Sequence, residues 1–168
     1  MPSTMAAISE WLAATPLSVA VSGAAWVVPT VQSVHIIAIA IVLSSVAMLD
    51  LRLAGLIGRE QPIRSMTLRF YPWIWGALVV LLATGCVMIM AEPDRELRNW
   101  IFWTKMALIV GAVVATMPVR RMLDECHFRE LPPARRHAIR FFALVSLVLW
   151  VAVVVCGRWI AYAGEKTL

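Results

Sequence analysis

His35 is the residue best placed to do chemistry in this chain. It stands inside an apolar run, Val34-His35-Ile36-Ile37-Ala38-Ile39-Ala40-Ile41-Val42-Leu43. A polar ring held away from water is costly unless something pairs with it or binds it, so an ionisable group in such a run marks a candidate functional site. A neutral imidazole can ligate a metal, and a charged one can move a proton. Lys105 and Arg158 occupy two further apolar runs, and both are cations suited to anionic groups.

Composition decides what surrounds these residues. The chain has 168 residues, of which 61% are hydrophobic and 15% charged. Its mean hydropathy is +0.82. A soluble domain would be about 45–50% apolar and about 25% charged. The reading is a single-domain integral membrane protein. The net charge of +5 does not point to nucleic acid, because most Lys and Arg lie in short stretches between apolar segments. That is how topology signals facing anionic lipid are placed. Three cysteines, Cys86, Cys126 and Cys156, form no CxxC pair and no disulfide framework. The N-terminus has no basic stretch ahead of its apolar part and carries Glu10, so it is expected to be retained rather than cleaved.

Four stretches are expected to span, at about Val27 to Leu49, Phe70 to Met90, Trp100 to Val119 and Phe141 to Ala161. Each is near the ~20 residues that cross ~30 Å of hydrocarbon as a helix. The fold expected is all-α: an integral membrane four-helix bundle. Ahead of it, residues 5–25 are interrupted at Thr15-Pro16 and at Gly23. They read as one or two short interfacial helices anchored by Trp11 and Trp26, with a further, poor span as the alternative.

The loops set the orientation. The first carries Arg52, Arg59, Arg64 and Arg69, and the third Arg120, Arg121, Arg129, Arg135, Arg136 and Arg140. The second, Glu92-Pro93-Asp94-Arg95-Glu96-Leu97-Arg98, has no cationic excess. By the positive-inside rule the first and third loops are cytoplasmic, and both termini lie outside, in the periplasm of a bacterial inner membrane. Trp73, Trp75, Trp100, Trp103 and Trp159 fall near span ends, as interface belts require.

Depth then brings the polar residues together. His35 precedes Asp50 by fifteen residues. At ~1.5 Å per residue this puts it ~22 Å above the inner end of its span, ~8 Å below the outer boundary. Lys105 enters the third span from the outside at a similar depth, and Arg158 closes the fourth, with Tyr162 one turn further out. Three cationic groups with no buried acid at that level make sense if His35 is neutral and ligates something while the cations meet anions. Haem has both features: iron that takes an axial imidazole, and two propionates. The plainer alternatives are that His35 hydrogen-bonds a neighbouring helix and that Lys105 and Arg158 snorkel to headgroups. Gln32, one turn before His35, could orient the ring or merely pack.

Copper is the competing cargo, with Cys86, Met88, Met106 and Cys156 as soft ligands at the same level. Met and Cys also fill apolar interiors without binding anything. Asp50 is expected to pair with a third-loop arginine and lock two helix ends. His127 and His137 read as solvated loop residues, Thr84-Gly85 and Gly76 as close helix contacts, and Pro72 and Pro118 as span ends or kinks.

Several pieces resemble those of a family of small bacterial four-helix membrane proteins. They are Glu10-Trp11-Leu12, Ala14-Thr15-Pro16-Leu17, Val34-His35, Leu49-Asp50-Leu51-Arg52-Leu53-Ala54-Gly55, Pro72-Trp73, Thr84-Gly85, Lys105-Met106 and Gly157-Arg158-Trp159-Ile160-Ala161-Tyr162. More distantly, the chain is similar to the HemJ-type protoporphyrinogen oxidases and to the membrane domain of CopD-type copper proteins. Both place a histidine in an early span and a lysine in a later one, as His35 and Lys105 stand here. The HemJ-type resemblance implies haem b with His35 as an axial ligand; the CopD-type resemblance implies copper. No second membrane-embedded histidine follows, so two axial histidines from one chain are not available.

The expected function is electron transfer or haem-associated redox chemistry at His35, Lys105 and Arg158. Quinone or a periplasmic redox protein would be the partner, and copper handling or an accessory role in a larger complex is the alternative. No nucleophile–base pair suggests a hydrolase. So many apolar positions imply a homo-oligomer or a subunit of a complex.

Overall fold

The computed structural model describes residues 4–57, 63–125 and 132–163, and within these not the side chains of 116–125 and 160–163. Arg59, Cys126, His127 and Arg129 lie outside the described residues, as do the side chains of Pro118, Arg120, Arg121 and Tyr162.

The described chain is helical, with no strand. The helices are α1 (Thr4–Ala13), α2 (Pro16–Gly23), α3 (Val27–Ala54), α4 (Ile63–Ala91), α5 (Pro93–Leu97), α6 (Trp100–Glu125) and α7 (Pro133–Ala163). Three stretches, Val27–Ala54, Ile63–Ala91 and Pro133–Trp159, are long and apolar enough to cross a membrane. α6 contributes a shorter apolar stretch, Trp100–Ala115, and α1 with α2 would count as one further span only across a 70° bend. Four spans were expected, and three meet the requirement outright.

The helices outrun the apolar segments that announced them. α3 continues past Leu49 through Asp50 and Arg52, and α4 begins at Ile63 rather than near Phe70. Arg and other long polar residues are good helix formers, so a helix does not stop where hydrocarbon stops. It stops where backbone chemistry intervenes. α3 ends at Gly55, whose φ of 80° is left-handed. There the Gly55 N–H donates to Arg52 O at 3.1 Å and the Leu56 N–H to Leu51 O at 2.9 Å, closing carbonyls that the helix leaves open. Pro72, expected at an end or a kink, sits inside α4.

The Thr15-Pro16 interruption divides α1 from α2. Thr15 caps α2, its hydroxyl oxygen accepting from the Ser18 N–H at 3.3 Å, and Pro16 fills the first turn. These two helices are tied to the bundle by polar bonds. Ser9, fully buried, donates to Asp94 Oδ1 on α5 at 2.6 Å. Ser18 donates to the Met90 carbonyl of α4 at 2.7 Å.

α3 is the hub, packing on both α4 and α7, while α6 packs on α7. Ala38, Val42 and Val46 of α3 meet Ala77, Ala112 and Trp150 in the core. Small residues at three of these positions let backbones approach closely, which is how helices gain packing energy in lipid. Seven of the eight tryptophans are exposed, as anchors must be, and only Trp150 is buried.

Gly55 gives a direct test. A side chain at a left-handed φ costs about 1–2 kcal/mol, while a Cβ placed there would meet Arg140 Nη2 at an ordinary contact distance of 3.6 Å. Gly55→Ala is therefore expected to lower thermal stability in detergent micelles by about that amount. Unchanged stability would mean that α3 does not end in this turn.

Candidate functional site

His35 lies on α3, half-buried, and turns toward α4. Its Nδ1 is 2.7 Å from Thr84 Oγ1. Thr84 Oγ1 is also 2.7 Å from the Val80 carbonyl and 3.2 Å from that of Leu81, one turn back on its own helix. Two oxygens this close need a hydrogen between them, and only the hydroxyl can supply it, since a carbonyl has none. The Thr84 oxygen is then left to accept, and Nδ1 must carry the hydrogen it donates. A neutral ring protonated at Nδ1 keeps its lone pair on Nε2, so the helix contact itself selects the tautomer.

Gly85 follows Thr84, and a Cβ there would lie 3.9 Å from His35 Cε1. Threonine next to glycine thus offers a hydrogen-bond acceptor and room for a flat ring. The pair reads in sequence as a close helix contact, and it is one, but the polar half is what matters. Gln32, the other candidate for orienting the ring, is exposed.

Lys105 is half-buried on α6 and lies across Gly157 of α7, where a Cβ would sit 3.8 Å from both Cε and Nζ. Its charge reaches His35 from across the bundle. It also reaches Glu96 of α5. An acid is therefore present at this level after all. Nothing in the pattern Asp94-Arg95-Glu96-Leu97-Arg98 distinguishes Glu96 from its solvated neighbours; the five-residue helix turns it inward. Arg158, next to Gly157, is exposed.

Met106 and Cys156 pack on Ile101 and Phe102 in a cluster between α6 and α7, and Cys86 is exposed. Among the described residues no three His, Cys, Asp or Glu side chains form a metal-holding group. His137 is an exposed residue in the first turns of α7, beside Pro133, Arg136 and Arg140 in a shallow basic depression.

Burial pushes the Glu96 carboxyl above its ordinary value of 4.5, and Glu92 pushes the same way, while the charges of Lys105 and Arg95 pull it back. A carboxyl raised by folding holds its proton more tightly in the folded chain than in the unfolded one. Its contribution to stability is greatest below 4.5 and falls as pH rises through the raised value. Thermal midpoints in micelles are expected to drop across that window, and Glu96→Gln should flatten the dependence. A wild-type midpoint that rises through the window would contradict the burial of this carboxyl.

Thr84 gives a second test. Thr84→Val keeps the shape and removes the acceptor, so the His35 ring should lose its single Nδ1–H tautomer, seen as averaged ring nitrogen shifts by NMR. Thr84→Ser should restore the wild-type pattern. An unaltered tautomer in Thr84→Val would show that another group orients the ring.

No curated protein and no solved structure matches the chain. A family model does, over residues 10–163, nearly the full length. The chain belongs to that family, DUF6644, a family of unknown function.

Proposed function

We propose that this protein binds b-type haem through His35 and serves electron transfer or haem-associated redox chemistry. The observation that carries the reading is the Thr84 hydrogen bond, which leaves Nε2 with a free lone pair. Metal-ligating histidines commonly donate their other ring hydrogen in this way, fixing ring orientation and raising ligand basicity.

The residues present fit the group. Gly85 packs against the imidazole without crowding it, a Cβ there coming 3.9 Å from Cε1, and Lys105 lies within electrostatic reach as a counter-charge for a propionate. Arg158, exposed near the end of α7, is the second candidate for that role. Bound haem would take up and release one electron at a time. The chain's own contribution is to hold the imidazole by Thr84 and to balance anionic charge with Lys105 against Glu96. The proposed setting is a bacterial inner membrane. Four spans would place both termini and the His35 end outside, with quinone or a periplasmic redox protein as partner. The distant HemJ-type resemblance points the same way.

The test is the optical spectrum of the full-length protein purified with haem supplied during expression. A Soret band is expected, and it should vanish in His35→Ala while the variant still folds, as judged by circular dichroism. A colourless protein carrying stoichiometric copper would replace haem with metal handling. A colourless, metal-free protein would leave an accessory subunit.

A further inference from the structure

The opposite end of the bundle holds a second polar centre. Asp50 lies one turn before α3 ends and is 5% exposed. Facing it from α7 is Ser146, 1% exposed, near enough to interact with the carboxyl. One turn along the same face of α7 stands Trp150, 5% exposed, the tryptophan that went inward. Among the described residues, Asp50 Oδ2, Ser146 Oγ and Trp150 Nε1 are all buried and all lack a hydrogen-bond partner. Of the third-loop arginines expected to pair with Asp50, Arg120, Arg121 and Arg129 lie outside the described side chains. Buried polar atoms are nearly always satisfied, so three orphans on one helix interface call for a guest.

The atoms specify its chemistry. The indole N–H only donates, the carboxylate oxygen only accepts, and the hydroxyl does either. An anion would be repelled by Asp50. A bare cation would find one carboxyl oxygen and one hydroxyl, and the indole cannot ligate it. A small neutral molecule that both donates and accepts suits all three, and the partners are as many as a buried water normally has.

We propose that Asp50, Ser146 and Trp150 hold an ordered water, and that this water makes the Asp50 carboxyl a proton-exchanging site inside the bundle. The water accepts the indole hydrogen and donates to Asp50 Oδ2. A proton arriving from solvent passes to the carboxylate as one O–H bond of the water breaks and one forms on Oδ2. The water regains its hydrogen from the solvent side, so nothing is oxidised or reduced. The site does not depend on what His35 binds. The ionisable groups at this end of the packed elements are Arg52 on α3, Arg64, Arg69 and Tyr71 on α4, and Arg135, Arg136, His137 and Arg140 on α7, with Arg120, Arg121, Asp124 and Glu125 on α6, whose side chains lie outside the described ones; α2 carries none.

The experiment uses the full chain in phospholipid nanodiscs, with nitrogen-labelled indoles and carbon-labelled aspartate carboxyls. Trp150→Phe assigns the indole and Asp50→Asn the carboxyl. Should Asp50→Asn fail to fold, Asp94→Asn and Asp124→Asn assign it by difference. A cross-peak between water and the Trp150 indole hydrogen is expected, and loss of it in Ser146→Ala. The Asp50 carboxyl resonance is expected to move with bulk pH. An indole hydrogen with no water contact would overturn the proposal. So would a cross-peak that survives Ser146→Ala at full strength, or an Asp50 resonance that stays fixed across the pH range of the folded protein.

Discussion

Helices surrounded by lipid gain little hydrophobic energy by meeting, because hydrocarbon outside is as apolar as the side chains inside. Each contact in this bundle answers to that constraint. Close approach at Ala38, Ala77 and Ala112 supplies packing, and Trp150 fills the space these small residues leave. Polar bonds supply what packing does not specify. Ser9 to Asp94 and Ser18 to Met90 fasten the N-terminal helices, and His35 to Thr84 joins α3 to α4.

The same constraint turns a structural bond into a chemical one. Thr84 satisfies its hydroxyl on its own helix, as threonine in an apolar helix must, and only its oxygen remains for a neighbour. His35 meets that need with Nδ1–H and in doing so presents Nε2. The contact that packs α3 on α4 thus also sets the tautomer of the ring. Lys105 sits between His35 and Glu96, so its charge is shared between a site that would bind an anion and an acid already present.

The two ends of α3 carry different chemistry. Toward its N-terminal end the helix presents a ring with its hydrogen bond closed and one nitrogen open. Near Gly55 it presents a carboxyl among orphaned donors and acceptors. Between His35 and Asp50, Ala38, Val42 and Val46 of α3 face the apolar core, which Trp150 enters from α7.

Much of this was legible in residue order. Apolar runs near span length, arginines concentrated in the first and third loops, and tryptophans at segment ends mark a helical membrane protein, because lipid imposes those patterns locally. Helical rise suggested a common depth for His35 and Lys105, and the charge of Lys105 does reach His35. Three things were decided only by tertiary structure. Thr84 became the partner of His35, Glu96 turned inward beside Lys105, and Trp150 and Asp50 went to the interior while the other tryptophans and Asp94 stayed outside. In each case a helix rotates one face toward a neighbour. In a chain apolar on every face no local periodicity records that rotation, so contact between helices had to settle it.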